Sequence, residues 1–251
     1  MKIKLIGLGV LSLLCASSAI AQDLGRGGGG VGQDIRAQLS PRRFTTLSSE
    51  LAAKVERITV KDGDRFKEGQ PLVTLDCLVQ RAQLEEARAT MLAAEKTYSV
   101  NRRLHEMNAG GALESEVAAA EVAKSRAKIN AGFAIVSKCN VAAPFSGRVV
   151  EVKVHDHQFV QAGQAMLEIL DDSVLEVEFL APSRWLSWLK AGHVFQIALD
   201  ETGRSYPAKV ARLGAKVDPL SQSIKVVAEV NGNFPELLAG MSGRVMLTPP
   251  G

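Results

Sequence analysis

The sequence predicts an elongated α+β multidomain chain: a β-rich unit split by an antiparallel helical hairpin, followed by a small β-barrel. Three observations carry this. Residues 78–138 contain no proline, are rich in Ala, Glu, Lys and Arg, and are broken once, at Asn108-Ala109-Gly110-Gly111, which reads as two helices and a glycine turn. The β-rich segments on either side of that stretch are two copies of one pattern, offset by 94 residues. Residues 172–251 then alternate in short apolar runs separated by turn signals.

The start of the chain reads as an export signal. Lys2 and Lys4 precede an apolar run from Leu5 to Ala16, and Ala19-Ile20-Ala21 offers the small residues of a cleavage site. An uncleaved anchor is the competing reading, but the run is shorter than the roughly 20 residues a membrane span needs. Cys15 raises lipidation, which Leu14 disfavours at a position where a small residue is wanted. The formal charge of +3 includes the two lysines of the signal, so cleavage leaves +1. A near-neutral protein gives no support to nucleic acid as a partner. The Gly-rich stretch at Gly25–Gly30 has no apolar periodicity around it and reads as a flexible leader.

From Leu47 onward short strands and tight turns take over. Val55, Ile58, Val60, Phe66, Leu72, Val73 and Leu75 alternate with polar residues, and turns fall at Asp62-Gly63-Asp64 and Glu68-Gly69-Gln70-Pro71. Shifted by 94 residues, Val55 meets Val149, Val60 meets Val154, Asp62 meets Asp156, Gly69 meets Gly163 and Gln70 meets Gln164. Neither copy has enough strands to close a core, so the two must pair as a sandwich. The hairpin interrupts them. In its first arm Leu84, Met91, Tyr98 and His105 recur every seven residues, with Ala87 and Ala94 beside them; in its second arm Val122, Ile129 and Val136 do the same. That period predicts an antiparallel coiled coil, and an arm of about 30 residues reaches roughly 45 Å.

After Asp171-Asp172, strands are expected at Val174–Phe179, Val194–Leu199, Tyr206–Leu213, Ile224–Val230 and Ser242–Leu247, with a short amphipathic helix at Ser183–Leu189. Several short strands with one small helix predict the barrel. Trp185 and Trp188 on that helix read as its plug rather than as a ligand platform.

The segments Val60-Lys61-Asp62-Gly63-Asp64 and Lys67-Glu68-Gly69-Gln70-Pro71-Leu72 resemble a lipoyl or biotinyl carrier domain, with the helical hairpin standing where the carrier has its modifiable lysine. A lipoyl-like barrel-sandwich hybrid split in this way resembles the membrane fusion proteins, the periplasmic adaptor subunits of efflux and secretion pumps (HlyD-like). Ala143-Pro144-Phe145-Ser146-Gly147-Arg148-Val149 is similar to that family's return from the hairpin. The phrases from Val217 to Val226 and Leu238-Ala239-Gly240-Met241 are similar to its barrel, with Gln222-Ser223 where Arg-Thr is usual. The resemblance covers about residues 47–248. Together with the signal peptide read at 1–21 and the leader at 22–40, it implies lipoyl-like halves at 41–77 and 139–171, a helical hairpin at 78–138 and a β-barrel at 172–251. The family's resistance–nodulation–division members usually add a membrane-proximal domain, and this chain reads as a short form without one.

Cys77 ends the first half and Cys139 precedes the second, so both fall at the base of the hairpin. In an exported protein they are expected to form a disulfide, against the alternative of two buried free thiols. His155 and His157 could face one metal ion from a strand, but the repeat puts His157 at the turn position of Gly63 and no third ligand is evident; the incidental reading is taken. At the hairpin tip the resemblance implies an Arg, a Leu and a Ser that dock an outer-membrane channel. Arg102 or Arg103, with Leu104, Met107 and Ser115 nearby, can stand for them, although Glu106 and Leu113 occupy the ungapped positions; a solvated charged turn is the alternative. No nucleophile elbow, zinc motif or phosphate loop occurs, so neither an enzyme nor a cofactor is expected.

The expected function is therefore bridging rather than chemistry. An inner-membrane transporter (of resistance–nodulation–division or ABC type) would bind at the base, an outer-membrane channel would receive the hairpin, and several copies would assemble as a homo-oligomer in the periplasm. An exported solute- or metal-binding protein, or a lipoyl or biotinyl carrier lacking its lysine hairpin, are the alternatives.

Overall fold

The computed structural model describes residues 35–247; the expected signal peptide, the Gly-rich stretch and residues 248–251 lie outside the described residues. In chain order the elements are β1 (Ile35–Ser48), β2 (Ala53–Ile58), β3 (Arg65–Phe66), β4 (Pro71–Leu75), α1 (Leu78–Glu106), α2 (Ala112–Ser137), β5 (Asn140–Ala142), β6 (Gly147–Val152), β7 (Phe159–Val160) and β8 (Ala165–Pro182). A 3-10 helix (Ser183–Ser187) leads to β9 (Val194–Leu199), β10 (Ser205–Asp218), β11 (Ser223–Val230) and β12 (Ser242–Met246).

The repeat folds into one core by exchanging hydrogen bonds between its copies. Gly63 N–H donates to the Val149 carbonyl at 2.9 Å, and the equivalent His157 N–H donates to the Val55 carbonyl at 2.9 Å. The Asp62 carboxylate accepts the Val152 N–H at 2.7 Å, while Asp156 accepts the Ile58 N–H at 2.8 Å. Inside each copy a glutamine holds the second turn: Gln70 accepts from Lys67 N–H at 3.1 Å and Gln164 from Gln161 N–H at 3.0 Å. The turns that make this possible need a left-handed residue. Gly63 has φ +82° and His157 +68°, the latter tolerable for His where a β-branched residue would be strained. Val55, Val60, Leu72 and Leu75 from one copy then pack with Val149, Val154, Met166 and Ile169 from the other. Each fully buried side chain of this size contributes about 1.5–3 kcal/mol, and half the set is missing from either copy alone.

A second core lies beyond. Strand pairing runs β1-β12-β9-β10-β11-β8, and β8 pairs back onto β1, so the ladder returns to its start. Leu39, Val177, Ile197, Leu199, Ala208 and Val226 point into it. Trp185 and Leu189 fill its end and are almost wholly buried. The expected helix at Ser183–Leu189 is a shorter 3-10 turn, in which both Trp188 N–H and Leu189 N–H reach the Trp185 carbonyl.

Besides β10, which runs on past its expected end at Leu213 to Asp218, two strands differ from expectation. Residues 35–40, read from sequence as the end of a leader, form the first half of β1, with Ile35, Ala37 and Leu39 alternating into the second core. β8 runs unbroken through Asp171-Asp172, where the sequence reading ends one unit and begins the next. Both strands are shared: Met166, Leu167 and Ile169 serve the first core, and Val177, Phe179 and Ala181 the second.

Candidate functional site: the helical hairpin, its base and its tip

The helices α1 and α2 pack side by side in opposite directions. Near the base an added Cβ on Gly132 would stand 3.1 Å from Leu84 Cδ1, and near the tip Asn101 Nδ2–H donates to the Glu114 carbonyl at 3.4 Å. Apart from Ala119, the less exposed positions follow a three-and-four alternation: Gln80, Leu84, Ala87, Met91, Ala94, Tyr98 and Asn101 on α1, and Ser115, Ala118, Val122, Ser125, Ile129, Gly132 and Val136 on α2. Ser115, Ala118, Ser125 and Gly132 are small, which lets the backbones approach. His105, expected on the seven-residue stripe, is instead exposed. It lies in the last turn of α1, past the Asn101–Glu114 contact, where the chain turns away from its partner.

At the base, Cys77 and Cys139 form a disulfide with an S–S distance of 2.11 Å and a Cα–Cα distance of 6.1 Å. Both residues are fully buried in the first core, and Leu75 N–H donates to the Cys139 carbonyl at 2.8 Å immediately beside the bond. Lys138 pairs with Glu50 across the same junction. The hairpin therefore leaves the core as two strands of chain tied both by a β-ladder and by a covalent bond.

At the tip, Met107 N–H donates to the Arg103 carbonyl at 3.1 Å and Ala109 N–H to the Leu104 carbonyl at 2.8 Å, which ends α1 as Asn108 swings to φ +55°. Gly110 folds back so closely that a Cβ there would meet Leu104 Cβ at 3.1 Å. Arg102 is engaged by its own helix, 3.4 Å from Glu106 and with its guanidinium 5.9 Å from the Tyr98 ring centroid. Ser115 sits half-buried on the side of α2 that faces α1. The surface at the tip is more apolar than the sequence reading anticipates. Besides Leu104 and Met107, the side chains of Val100, Leu113 and Val117 stand open, Leu113 at 68% exposure. Val100 and Leu104 share one face of α1 at i, i+4 spacing, with Met107 following at its C-cap, and Leu113 and Val117 are four apart on α2. Their signal in the sequence was apolar residues falling off the seven-residue stripe.

His155 and His157 are both exposed on the turn before β7, and no cluster of three or more metal-ligating side chains occurs among the described residues. No helix among the described residues is long and apolar enough to cross a membrane.

Comparison with known proteins agrees with this geometry. The family model for the barrel-sandwich hybrid domain of RND membrane fusion proteins (RND MFP) matches residues 43–183, more than half of the chain. An uncharacterised protein of Haemophilus influenzae is 29% identical over 84% of this chain and 56% of its own length. The nodulation protein NolF of Rhizobium meliloti is 25% identical over 90% of this chain and 64% of its own. The chain thus spans less than two thirds of either curated relative. A MacA–MexA chimera carrying the α-hairpin domain of Pseudomonas aeruginosa MexA superposes with a TM-score of 0.75, covering 85% of this chain and 80% of that one at 17% identity, which speaks to the fold. The split sandwich, the inserted hairpin and the family match lead to one conclusion: this chain belongs to the RND membrane fusion protein family of efflux-system adaptors.

Proposed function

We propose that the protein is a periplasmic adaptor of a tripartite efflux or secretion system, bridging an inner-membrane transporter and an outer-membrane channel for export of small molecules. In this reading residues 1–21 are a cleaved signal and 22–34 the remaining leader. Residues 41–77 and 139–171 are the lipoyl-like halves, and 78–138 a coiled-coil hairpin. The cyclic ladder of six strands is a small β-barrel built from 172–247 together with the start of β1. The barrel and sandwich face the transporter, of resistance–nodulation–division or ABC type, from the inner-membrane side. The hairpin reaches for the channel, and copies assemble side by side.

The observation that carries this is the hairpin itself. It has too thin a seam to hold a ligand, is fixed at its base by a disulfide, and ends in exposed Leu104, Met107, Leu113 and Val117. Apolar side chains standing in water at the end of a rigid arm suit a contact with another protein. Arg102 and Arg103 supply charge beside them. The test is recovery of an outer-membrane partner with the full-length exported protein after mild crosslinking. Charge reversal at Arg102 and Arg103, and Leu104→Ser with Leu113→Ser, are each expected to abolish it. Unchanged recovery in both variants would refute tip docking.

A further inference from the structure

The first core has two exits, and each is clasped. At one, β4 and β5 lead into α1 and α2, and Cys77–Cys139 joins them. At the other, β8 and β1 lead into the second core, and there Asp171, the residue 94 positions after Cys77, meets Arg43. Arg43 donates to the Asp171 carboxylate from Nε at 2.9 Å, with its terminal nitrogen 2.7 Å away, and its guanidinium stacks 4.6 Å from the Phe145 ring centroid. The repeat thus places a covalent clasp at one exit and an ionic clasp at the other.

The ionic exit is built to bend. Between Pro41↔Leu175 and Arg43↔Asp171 the ladder loses register, so that two steps along β1 oppose four along β8. Pro41 cannot donate a ladder hydrogen bond, and a bulge of this kind raises local bending and twist. What holds the bulge is side chains: Asp171 also accepts the Ser173 N–H at 3.0 Å, and Asp172, the next residue, turns to Arg65 at 2.9 Å and Arg148 at 3.6 Å. Arg65 and Arg148 belong to β3 and β6 of the first core. Opposite them, Phe234, which packs against the second core, and the exposed loop residue Asn233 leave a cavity of about 110 Å³ against Arg65, Arg148 and Asp172. The buried Nε–H of Arg148 is the atom 3.6 Å from Asp172, beyond hydrogen-bond reach, and finds no nearer acceptor among the described residues. That void interrupts close packing on this side of the joint.

We propose that the β1–β8 joint is where the two cores change relative orientation, held at one setting by the Arg43–Asp171 and Arg65/Arg148–Asp172 ion pairs, whereas Cys77–Cys139 keeps the hairpin fixed to the first core. Motion between the cores is thus absorbed at the bulge and leaves the hairpin's direction unchanged relative to the sandwich.

The test is electron-spin distance measurement on the exported protein, with labels on cysteines introduced in pairs. Thr90 with Lys209 spans hairpin and second core, and Thr90 with Lys61 spans hairpin and first core. Asp171→Asn with Asp172→Asn is expected to broaden the Thr90–Lys209 distribution by about twofold or more, as at a released hinge, and to leave Thr90–Lys61 unchanged. Cys77→Ser with Cys139→Ser is expected to broaden Thr90–Lys61. If the aspartate variant fails to fold, Arg65→Gln with Arg148→Gln removes the outer clasp from exposed or half-exposed side chains and is expected to broaden Thr90–Lys209 alone. An unchanged Thr90–Lys209 width in the folded variants, or equal broadening of both pairs, overturns the proposal.

Discussion

Removing the clasp at the hairpin base, by Cys77→Ser with Cys139→Ser, is expected to destabilise the first core by about 4 kcal/mol. The bond spans 62 residues of sequence separation. In the chain-entropy description a loop of that length, once released, returns about 4 kcal/mol of freedom to the unfolded chain. Native packing changes little, since Ser is close to Cys in size, although two hydroxyls would enter a site where Cys77 and Cys139 are 1% and 0% exposed. That burial adds to the loss and does not offset it. For a chain of this size a loss of about 4 kcal/mol lowers the melting temperature by roughly 8–16 °C. The assay is urea and thermal unfolding followed by circular dichroism, wild type against variant, and wild type with and without reductant. Hydrogen exchange should quicken in the first turn of α1 and the last turn of α2 before it changes elsewhere. A variant within about 1 kcal/mol of wild type would refute the reasoning, because the loop-entropy contribution alone exceeds that.

The joint between the cores gives a pH prediction. Burial pushes the Asp171 carboxyl up, but hydrogen bonds from Ser173 and from Arg43, with the Arg43 charge, outweigh it and hold the group below the ordinary aspartate value. A folded-state value below the unfolded one, about 3.9, means the stabilisation is fully present above that pH and is lost as pH falls through the folded value. Asp171→Asn should therefore cost about 1.5–3 kcal/mol at neutral pH, and urea midpoints of variant and wild type should converge only below about pH 4. Gly147→Ala would place a Cβ 2.0 Å from the Leu170 carbonyl oxygen, so β6 must lift from β8; a loss of about 1–3 kcal/mol is expected in thermal unfolding. Gly132→Leu would force a branched side chain against Leu84, where even a Cβ stands 3.1 Å from Cδ1. It should part the helices and cost about 1–3 kcal/mol, with faster hydrogen exchange along α2.

The sandwich was legible in the sequence because its turns demand particular residues. Left-handed positions at Gly63, Gly69 and Gly163, and the reciprocal carboxylates Asp62 and Asp156, recur at one offset, and the hydrogen bonds that require them cross between copies. The hairpin was legible from its seven-residue stripe, except at His105, where the period continues after the partner helix has been left behind. The first half of β1 was not. Ile35, Ala37 and Leu39 give only three alternations before Pro41-Arg42-Arg43, and the strand's partner pairs Gln38 with Ser242 at the far end of the chain. Nothing local announces a partner so distant. The apolar tip was hidden for a different reason: Val100, Leu113 and Val117 look like core residues until the seam that excludes them is known.

The central claim is that the hairpin tip meets another protein while the base faces the transporter. Its most direct test is a photo-crosslinking residue at Leu113, 68% exposed in the structure, in full-length protein exported by cells. The account predicts an ultraviolet-dependent adduct with an outer-membrane protein from Leu113 and no such adduct from exposed Thr90 midway down the arm. Adducts at neither position, or at Thr90 and Leu113 alike, would contradict it.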